Sequence, residues 1–234
     1  MENAPLPGKE NARLLALKEY HILDTPAEAE LDDLTRLASL ICNTPIALIT
    51  LIDEHRQWFK TNIGLKQTET ARNVSFCQHA ILENGIYEIP NTTENAVFAN
   101  NPMVTGNPAI RFYAGAPLIN SDGYALGTLC VMDTVPRQLD DKQRETLMLL
   151  SNMVIQQFEL ARKKAEVEQT KQLYHKMVED VADIIYTSDH NGNFTYVNQK
   201  VSTMLGYRPD ELIGKSFTEM IVPEWRPRVV DFYS

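Results

Sequence analysis

Two reactive side chains stand two positions apart in the stretch Ser75-Phe76-Cys77-Gln78-His79-Ala80-Ile81, in a chain with three cysteines and five histidines. A thiol and an imidazole can act as a nucleophile and its base, bind a metal ion, or anchor a chromophore. If Ser75 begins a helix, Cys77 and His79 lie about 200° apart around its axis and face different directions. On a strand they would share a face. We expect a short helix at 75–82, and therefore neither a catalytic pair nor a shared metal ion.

The three cysteines, Cys42, Cys77 and Cys130, are widely spaced and form no C-x-x-C pair. This spacing argues against a disulfide framework and against a cysteine zinc site, so we expect reduced thiols and no metal centre. An unpaired cysteine is most often a small buried hydrophobic residue, and this interpretation is favoured for Cys77 and Cys130. For His79, a satisfied and partly buried imidazole is favoured over contact with a pocket ligand.

Sequence motifs of several enzyme classes are missing. The ten glycines include no G-x-G pair, and neither H-E-x-x-H nor G-x-S-x-G occurs. A net charge of -9 disfavours phosphate backbones and anionic membranes, so we expect neither nucleic acid nor membrane as a partner. No apolar run approaches the roughly 20 residues that span a bilayer, and the first residues lack the pattern of a signal peptide. These features predict a cytoplasmic globular protein without a catalytic core of its own.

Four segments have the length and the residue pattern of β-strands. They are Ile46–Ile52, Arg56–Ile63, 110–119 and 124–133. The first is an unbroken apolar run, which is typical of a central strand covered on both faces. The pair Asp122-Gly123 tolerates the positive φ of a tight turn and predicts a hairpin between the last two strands.

Two capping patterns predict where helices begin. Thr25-Pro26-Ala27-Glu28 has a hydroxyl, a proline and a carboxylate at the positions of a capping box, and a stripe of Leu31, Leu34, Ala38 and Ile41 follows. Asp140-Asp141-Lys142-Gln143 repeats the pattern before a long helix that carries Leu147, Leu150, Val154, Phe158 and Ala161. Residues 162–172 of that helix are nearly all polar, which indicates a connector between two domains that pairs with a second copy.

Six short motifs along residues 10–160 form a recognisable set. They are ILDTP at 22–26, IALITLID at 46–53, RQWFK at 56–60, SFCQHAI at 75–81, RFYAGAPL at 111–118 and LGTLCVMD at 126–133. As a set they resemble the GAF domain of bacterial signalling proteins. The resemblance implies an α+β fold, with a central antiparallel sheet flanked by helices and a small-molecule pocket on one sheet face. It implies ligand contacts from Cys77, His79, Phe98, Arg111, Tyr113 and Cys130.

A second set of motifs lies in residues 174–234. DIIYTSDHNGNFTYVN, LGYRPDELIGK and MIVPEW followed by RPRVVDFY at 226–233 resemble the start of a PAS domain, a small α+β fold whose three further strands are missing from this sequence. The resemblance therefore implies three parts: a GAF domain with an N-terminal helix at 1–160, a connector helix at 161–178, and the N-terminal part of a PAS domain at 179–234.

The residues that specialised relatives use for cofactors are missing. Residues 174–234 contain no cysteine for a flavin adduct, and Cys77 is followed by Gln78, whereas bilin-binding GAF domains usually have a histidine there. The N-K-F-D-E pattern of cyclic-nucleotide GAF domains is also missing. We expect no cofactor in this chain, and ATP and Mg only in a downstream kinase module.

The resemblance implies a sensory input region, most often placed before a sensor histidine kinase in a two-component phosphorelay. A diguanylate cyclase is the alternative output. The rivals from other classes are a thiol-based redox enzyme, like the methionine-sulfoxide-reducing GAF relatives, and a dimerisation scaffold without a ligand. We expect a homodimer formed by the N-terminal and connector helices, with an output module or a response regulator as a further partner.

Overall fold

An antiparallel sheet organises the N-terminal part of the chain. This computed structural model describes residues 8–225, and its strands in this part are β1 (Ile46–Ile52), β2 (Arg56–Ile63), β3 (Glu69–Ala71), β4 (Tyr87–Ile89), β5 (Phe112–Ile119) and β6 (Ala125–Asp133). They lie in the order β3-β2-β1-β6-β5-β4, and each neighbouring pair is antiparallel. The predicted α+β fold is confirmed.

The central strand β1 separates two hydrophobic cores. All seven of its residues are buried, as its unbroken apolar run predicts. Ala47 and Ile49 belong to one core, whereas Ile46 and Leu48 belong to the other, because successive side chains of a strand point to opposite faces. Apolar surface is therefore buried on both faces of β1, and the neighbouring strand β6 is likewise buried at every position.

Three helices cover one face of the sheet and two short ones lie over the other. Their bounds are α1 (Glu10–Glu19), α2 (Ala29–Cys42), α3 (Cys77–Ala80), α4 (Pro102–Thr105) and α5 (Asp141–Asp180). Leu17 of α1, Leu31 of α2 and Val154 of α5 join the first core. Cys77 of α3 and Val104 of α4 join the second core, which contains four of the six residues predicted to form the ligand pocket.

The predicted capping box before α2 is wrong. The helix begins at Ala29, after Glu28, without a side-chain cap. The Thr25 hydroxyl instead donates to the Ile22 carbonyl at 2.7 Å and accepts from Nζ of Lys60 at 2.7 Å. The Lys60 side chain is fully buried and also contacts the Glu28 carboxylate at 2.7 Å. Because a buried ammonium group needs polar partners, these long-range contacts override the local capping pattern.

The same helix differs from its predicted apolar stripe at its last turn. Leu31, Leu34 and Ala38 are buried as predicted, but Ile41 is 38% exposed and Cys42 is 3% exposed. Asn43 then ends α2 in the left-handed conformation, at φ 51°. The last inward position is therefore occupied by Cys42.

The predicted cap of the long helix is confirmed. The Asp140 carboxylate accepts from the Gln143 backbone N–H at 2.8 Å, and the Gln143 side-chain oxygen accepts from the Asp140 N–H at 3.0 Å. This reciprocal pair satisfies two backbone donors at the start of a helix. The helix α5 has 40 residues, and Leu147, Leu150, Val154 and Phe158 are buried along its first part as predicted, whereas Ala161 is exposed.

The C-terminal unit, residues 165–234, has its own small core. Its elements are β7 (Tyr186–Ser188), β8 (Phe194–Val197), α6 (Lys200–Leu205) and α7 (Pro209–Leu212). The two strands form the predicted antiparallel hairpin, with Gly192 in the turn at φ +78°. Phe194, Val197, Val201 and Leu212 form the core. The predicted motif at 226–233 lies outside the described residues.

Between residues 8 and 225, every helix is too short or too polar to cross a lipid bilayer.

Candidate functional site

Four of the six predicted site residues meet on one face of the sheet. Cys77 comes from α3, Tyr113 from β5, Cys130 from β6, and Phe98 from the segment before α4. Their exposed fractions are 1% for Cys77, 2% for Phe98, and 0% for both Tyr113 and Cys130. The second core therefore brings together residues that are up to 53 positions apart in the chain.

Aromatic rings fill the space beside the two thiols. The ring of Phe76 stacks on Tyr113 with centroids 5.1 Å apart and contacts Phe98 at 4.7 Å. The edge of His79 meets Phe98 at 4.8 Å. Such offset and edge-on contacts between rings add to the energy of burial. A ligand at this position would have to displace at least one of these rings.

The sulfur atoms of Cys77 and Cys130 lie 3.8 Å apart, and the Tyr113 hydroxyl donates to the Cys77 sulfur at 3.3 Å. Gly115 makes this arrangement possible. It pairs with Cys130 across the sheet, and a Cβ atom at this position would lie 2.2 Å from the Tyr113 hydroxyl oxygen. The absence of a side chain at Gly115 lets the Tyr113 ring lie flat along the strand and reach Cys77.

The two thiols of this pair have different proton affinities. Burial raises the pKa of Cys77, but hydrogen bonds to its sulfur prevail and lower that pKa to about 6; the donors are Cys130, Thr128, Thr50 and Tyr113. The hydrogen bond to Cys77 and burial both raise the pKa of Cys130 well above its usual value. Cys77 is therefore the thiol that ionises first, because its sulfur receives more hydrogen bonds.

The remaining two predicted residues lie at the margin of this cluster. His79 is half-buried on the other side of α3, so the prediction that Cys77 and His79 face different directions is confirmed. Burial lowers the pKa of His79, which favours the neutral imidazole. Arg111 donates to the carbonyls of Val104 at 2.9 Å and Ile110 at 3.1 Å, so it holds the end of α4. The ligand contacts of all six residues stay a prediction.

Two threonines beside the thiols are site residues that our sequence reasoning missed. The hydroxyls of Thr50 and Thr128 lie 3.1 Å apart across the β1–β6 pair, and both side chains are buried. A recognisable signal was present in each case. Each is a polar residue inside an otherwise apolar strand, which is unusual unless its hydroxyl has a buried partner.

The third thiol differs from the other two. Cys42 lies at the end of α2 in the opposite core, and burial raises its pKa to about 11. It is free and buried, like Cys77 and Cys130. Within residues 8–225, no group of three or more His, Cys, Asp or Glu side chains is placed to hold a metal ion.

The fold defines a class of α+β modules, in which a helix-covered antiparallel sheet is followed by a second α+β unit. The sequence profile of the GAF domain matches residues 26–158, and that of the PAS fold matches residues 172–231. The chain belongs to the GAF domain family and carries a PAS domain after it. Both are sensory domains, and the chain is a signalling input region.

Similar proteins include a phosphodiesterase, a bacteriophytochrome and a phosphotransferase. A cyclic di-GMP phosphodiesterase of Pseudomonas aeruginosa is 36% identical over 178 residues, which are 76% of this chain and 30% of the relative. This chain thus spans less than a third of that protein. A bacteriophytochrome of R. palustris has a TM-score of 0.51 at 9% identity, over 73% of this chain and 42% of that one. The GAF domain of an Acinetobacter phosphoenolpyruvate-protein phosphotransferase has a TM-score of 0.48 at 16% identity, over 67% and 98%.

Proposed function

We propose that this chain acts as the dimeric input region of a longer cytoplasmic signalling protein, and that paired α5 helices relay the state of the GAF domain. The exposed side of α5 carries the proposal. Met153, Leu160, Val167 and Tyr174 recur every seven residues and are 47%, 62%, 67% and 66% exposed. A seven-residue apolar repeat on a helix is typical of a coiled-coil seam, and a second copy of the helix would cover it.

The composition of this seam favours a modest affinity between the two copies. The positions three residues after the first three seam residues are Gln156, Lys163 and Thr170. A stable two-stranded coiled coil usually has apolar residues at both seam positions of its heptad. Only one of the two is apolar along most of α5, so we expect a dimer that dissociates on dilution.

The C-terminal end of α5 supports a relay into the PAS domain. The Glu179 carboxylate accepts from the Tyr196 hydroxyl at 2.7 Å and from the Gln199 backbone N–H at 2.7 Å. The Asn198 side chain donates to the Val178 carbonyl at 3.0 Å. Because of these hydrogen bonds, a rotation or register change of α5 would displace β8 and the start of α6. Such a helix pair is the two-state element that a signal in the GAF domain would bias.

Sedimentation velocity over a range of concentrations tests the dimer. The double variant L160E/V167E puts two carboxylates into the seam and should give a monomer at concentrations where the wild type is a dimer. The control A165E/Q172E adds two carboxylates to exposed positions on the opposite side of α5 and should keep the dimer. A monomeric wild type at high concentration, or equal dissociation of both variants, would contradict the proposal.

The output module is a separate question. The relative that hydrolyses cyclic di-GMP supports a cyclic-di-GMP output, since it matches 76% of this chain. The sensor histidine kinase predicted from the GAF–PAS order is the second candidate, with a diguanylate cyclase beside it. Assays of the complete protein for cyclic di-GMP hydrolysis, cyclic di-GMP synthesis and autophosphorylation by ATP and Mg²⁺ would separate the three outputs.

A ligand of the GAF domain would bind at the ring cluster of Phe76, Phe98 and Tyr113. These rings are in contact, so binding has to open the cluster by moving α3 or the segment around Phe98. Mass spectrometry of small molecules released from the purified protein by denaturation tests for such a ligand. If nothing is released and the F98A variant binds no added metabolites, the ligand-free scaffold is favoured.

A further inference from the structure

We infer that Cys77 and Cys130 form an oxidation site, a dithiol that a peroxide converts into an internal disulfide. The sulfur atoms are 3.8 Å apart and both residues are buried, so each thiol is the other's nearest reaction partner. Formation of the bond requires the sulfurs to approach to about 2.05 Å. The effective concentration of one buried thiol beside the other is far above that of any thiol in solution.

The elements that carry the two thiols differ in how firmly they are held. Cys130 lies on β6, which pairs with β1 on one side and β5 on the other. Cys77 lies on α3, a helix of four residues between irregular segments. The movement that closes the disulfide therefore falls on α3, and it would carry Phe76 with it. Oxidation of the two thiols would therefore change the packing of the ring cluster.

The reaction needs one equivalent of hydrogen peroxide and proceeds in two steps. The Cys77 thiolate attacks an oxygen of the peroxide, so that an S–O bond forms, the O–O bond breaks, and the released hydroxide takes up a proton to leave as water. The Cys130 thiol then attacks the sulfenic sulfur of Cys77. The S–S bond forms, the S–O bond breaks, and the sulfenic hydroxyl leaves as water with the Cys130 proton. Each sulfur loses one electron, and the peroxide accepts both.

The order of the two steps follows from the hydrogen bonds at the pair. Tyr113 donates to the Cys77 sulfur, and hydrogen bonds lower the pKa of Cys77, whereas the pKa of Cys130 is raised. A thiolate is the nucleophile in both thiol oxidation and disulfide exchange. Cys77 is therefore the attacking residue and Cys130 the resolving one, with Tyr113 as a positioning residue. Peroxide is small enough to reach a buried thiol during local opening of α3.

The test treats the whole chain with hydrogen peroxide under native conditions and then alkylates the remaining thiols after denaturation. Mass spectrometry should show the loss of two hydrogen atoms and of two alkylatable thiols together, with a linked pair of peptides that contain Cys77 and Cys130. Reduction with a phosphine should restore both thiols. Cys42 should stay alkylatable and is the internal control, because it lies in the opposite core.

Variants make the assignment of roles testable. In C130A, peroxide should leave a sulfenic acid on Cys77 that a dimedone probe labels, whereas C42A should form the same internal disulfide as the wild type. In Y113F, the pH dependence of disulfide formation should shift to higher pH, and Y124F, which removes a hydroxyl from the other core, should leave it unchanged. Oxidation of only one thiol in the wild type, a disulfide that includes Cys42, or no thiol loss at all would overturn the inference. The covalent readout does not depend on the dimer proposed above.

Discussion

At the scale of single residues, the site depends on where a side chain is missing as much as on where one is present. Tyr113 reaches Cys77 because Gly115 leaves room for its hydroxyl, and Thr50 and Thr128 add further hydroxyls to the thiol pair. The result is a polar cluster inside an apolar core. Buried polar groups of this kind are tolerated when each has a partner, and this one links three strands and a helix segment.

Replacement of Gly115 by alanine should destabilise the protein by about 1–3 kcal/mol. The new methyl group would lie 2.2 Å from the Tyr113 hydroxyl and would push that ring away from Cys77. Urea denaturation followed by fluorescence measures the change in the free energy of unfolding. Gly85→Ala is the matched control, since no atom lies within 4 Å of a Cβ at that position. Equal stability of the two variants would contradict the packing argument.

Glu10 makes stability depend on pH. It accepts from Arg13 at 2.7 Å and from Arg72 at 2.6 Å. Burial raises the pKa of Glu10, but the bonds to the two arginines prevail, so its folded-state pKa is below the usual 4.5. A lowered folded-state pKa stabilises the protein above the unfolded pKa, and this stabilisation is lost as the pH falls through the folded pKa.

We therefore expect Glu10→Gln to be less stable than the wild type at neutral pH, with a difference that shrinks below pH 4.5 as the wild-type carboxylate is protonated. Denaturant titrations at several pH values measure this difference. Glu30→Gln, at an exposed position of α2, should change stability far less. A difference between wild type and Glu10→Gln that stays constant down to acid unfolding would disprove the linkage.

At the scale of elements, two kinds of restraint decide where the helices lie. The helix α1 is held by the buried Arg13, which donates to the Ile52 carbonyl at 2.8 Å at the end of β1. The helix α5 begins at a local capping box, and its first turns bury four large apolar side chains. A long-range hydrogen bond thus positions one helix, and local sequence positions the start of the other.

Asp140→Ala should destabilise the protein by about 1 kcal/mol, because it removes the acceptor for the Gln143 backbone N–H. Thermal or urea denaturation of the two proteins under identical conditions measures the loss. Asp33→Ala changes an exposed residue within α2 and should cause little or no loss, since alanine has the higher helix propensity. If Asp33→Ala lowered the free energy of unfolding as much as Asp140→Ala does, the loss of stability would not be due to the cap.

At the scale of the whole molecule, the chain is a signalling input region. The GAF profile covers residues 26–158 and the PAS profile residues 172–231, and the 40-residue helix α5 is the element that extends from one into the other. The expected boundaries at 160 and 178 place the connector within this helix and stay a prediction. The relay proposed above depends on this shared helix.

The dimer proposed to form through α5 should make thermal stability depend on protein concentration. Association stabilises the folded state by mass action, so the Tm of the wild type should rise with concentration. The L160E/V167E variant should show a Tm that does not change with concentration, and A165E/Q172E should behave like the wild type. Calorimetry over a wide range of concentrations distinguishes these outcomes, and a concentration-independent wild-type Tm would argue against the dimer.

Features that depend on neighbours in the chain could be predicted from the sequence alone. The unbroken apolar run of β1, the Asp122-Gly123 turn, the α5 cap and the opposite directions of Cys77 and His79 all follow from local periodicity and turn chemistry. The GAF and PAS motifs likewise identified both domains in their correct order.

Features that depend on distant residues were decided only by the tertiary structure. Thr25 has the position of a helix cap, yet its hydroxyl accepts a hydrogen bond from Lys60, 35 residues further along the chain. Cys77 and Cys130 become partners only because α3 lies against β6, 53 residues further along the chain. A buried charge or thiol forms hydrogen bonds with whichever groups the fold places beside it, because water is excluded there and an unsatisfied polar group is costly. Sequence spacing determined the elements of this protein, and the desolvation of its interior determined which of their side chains meet.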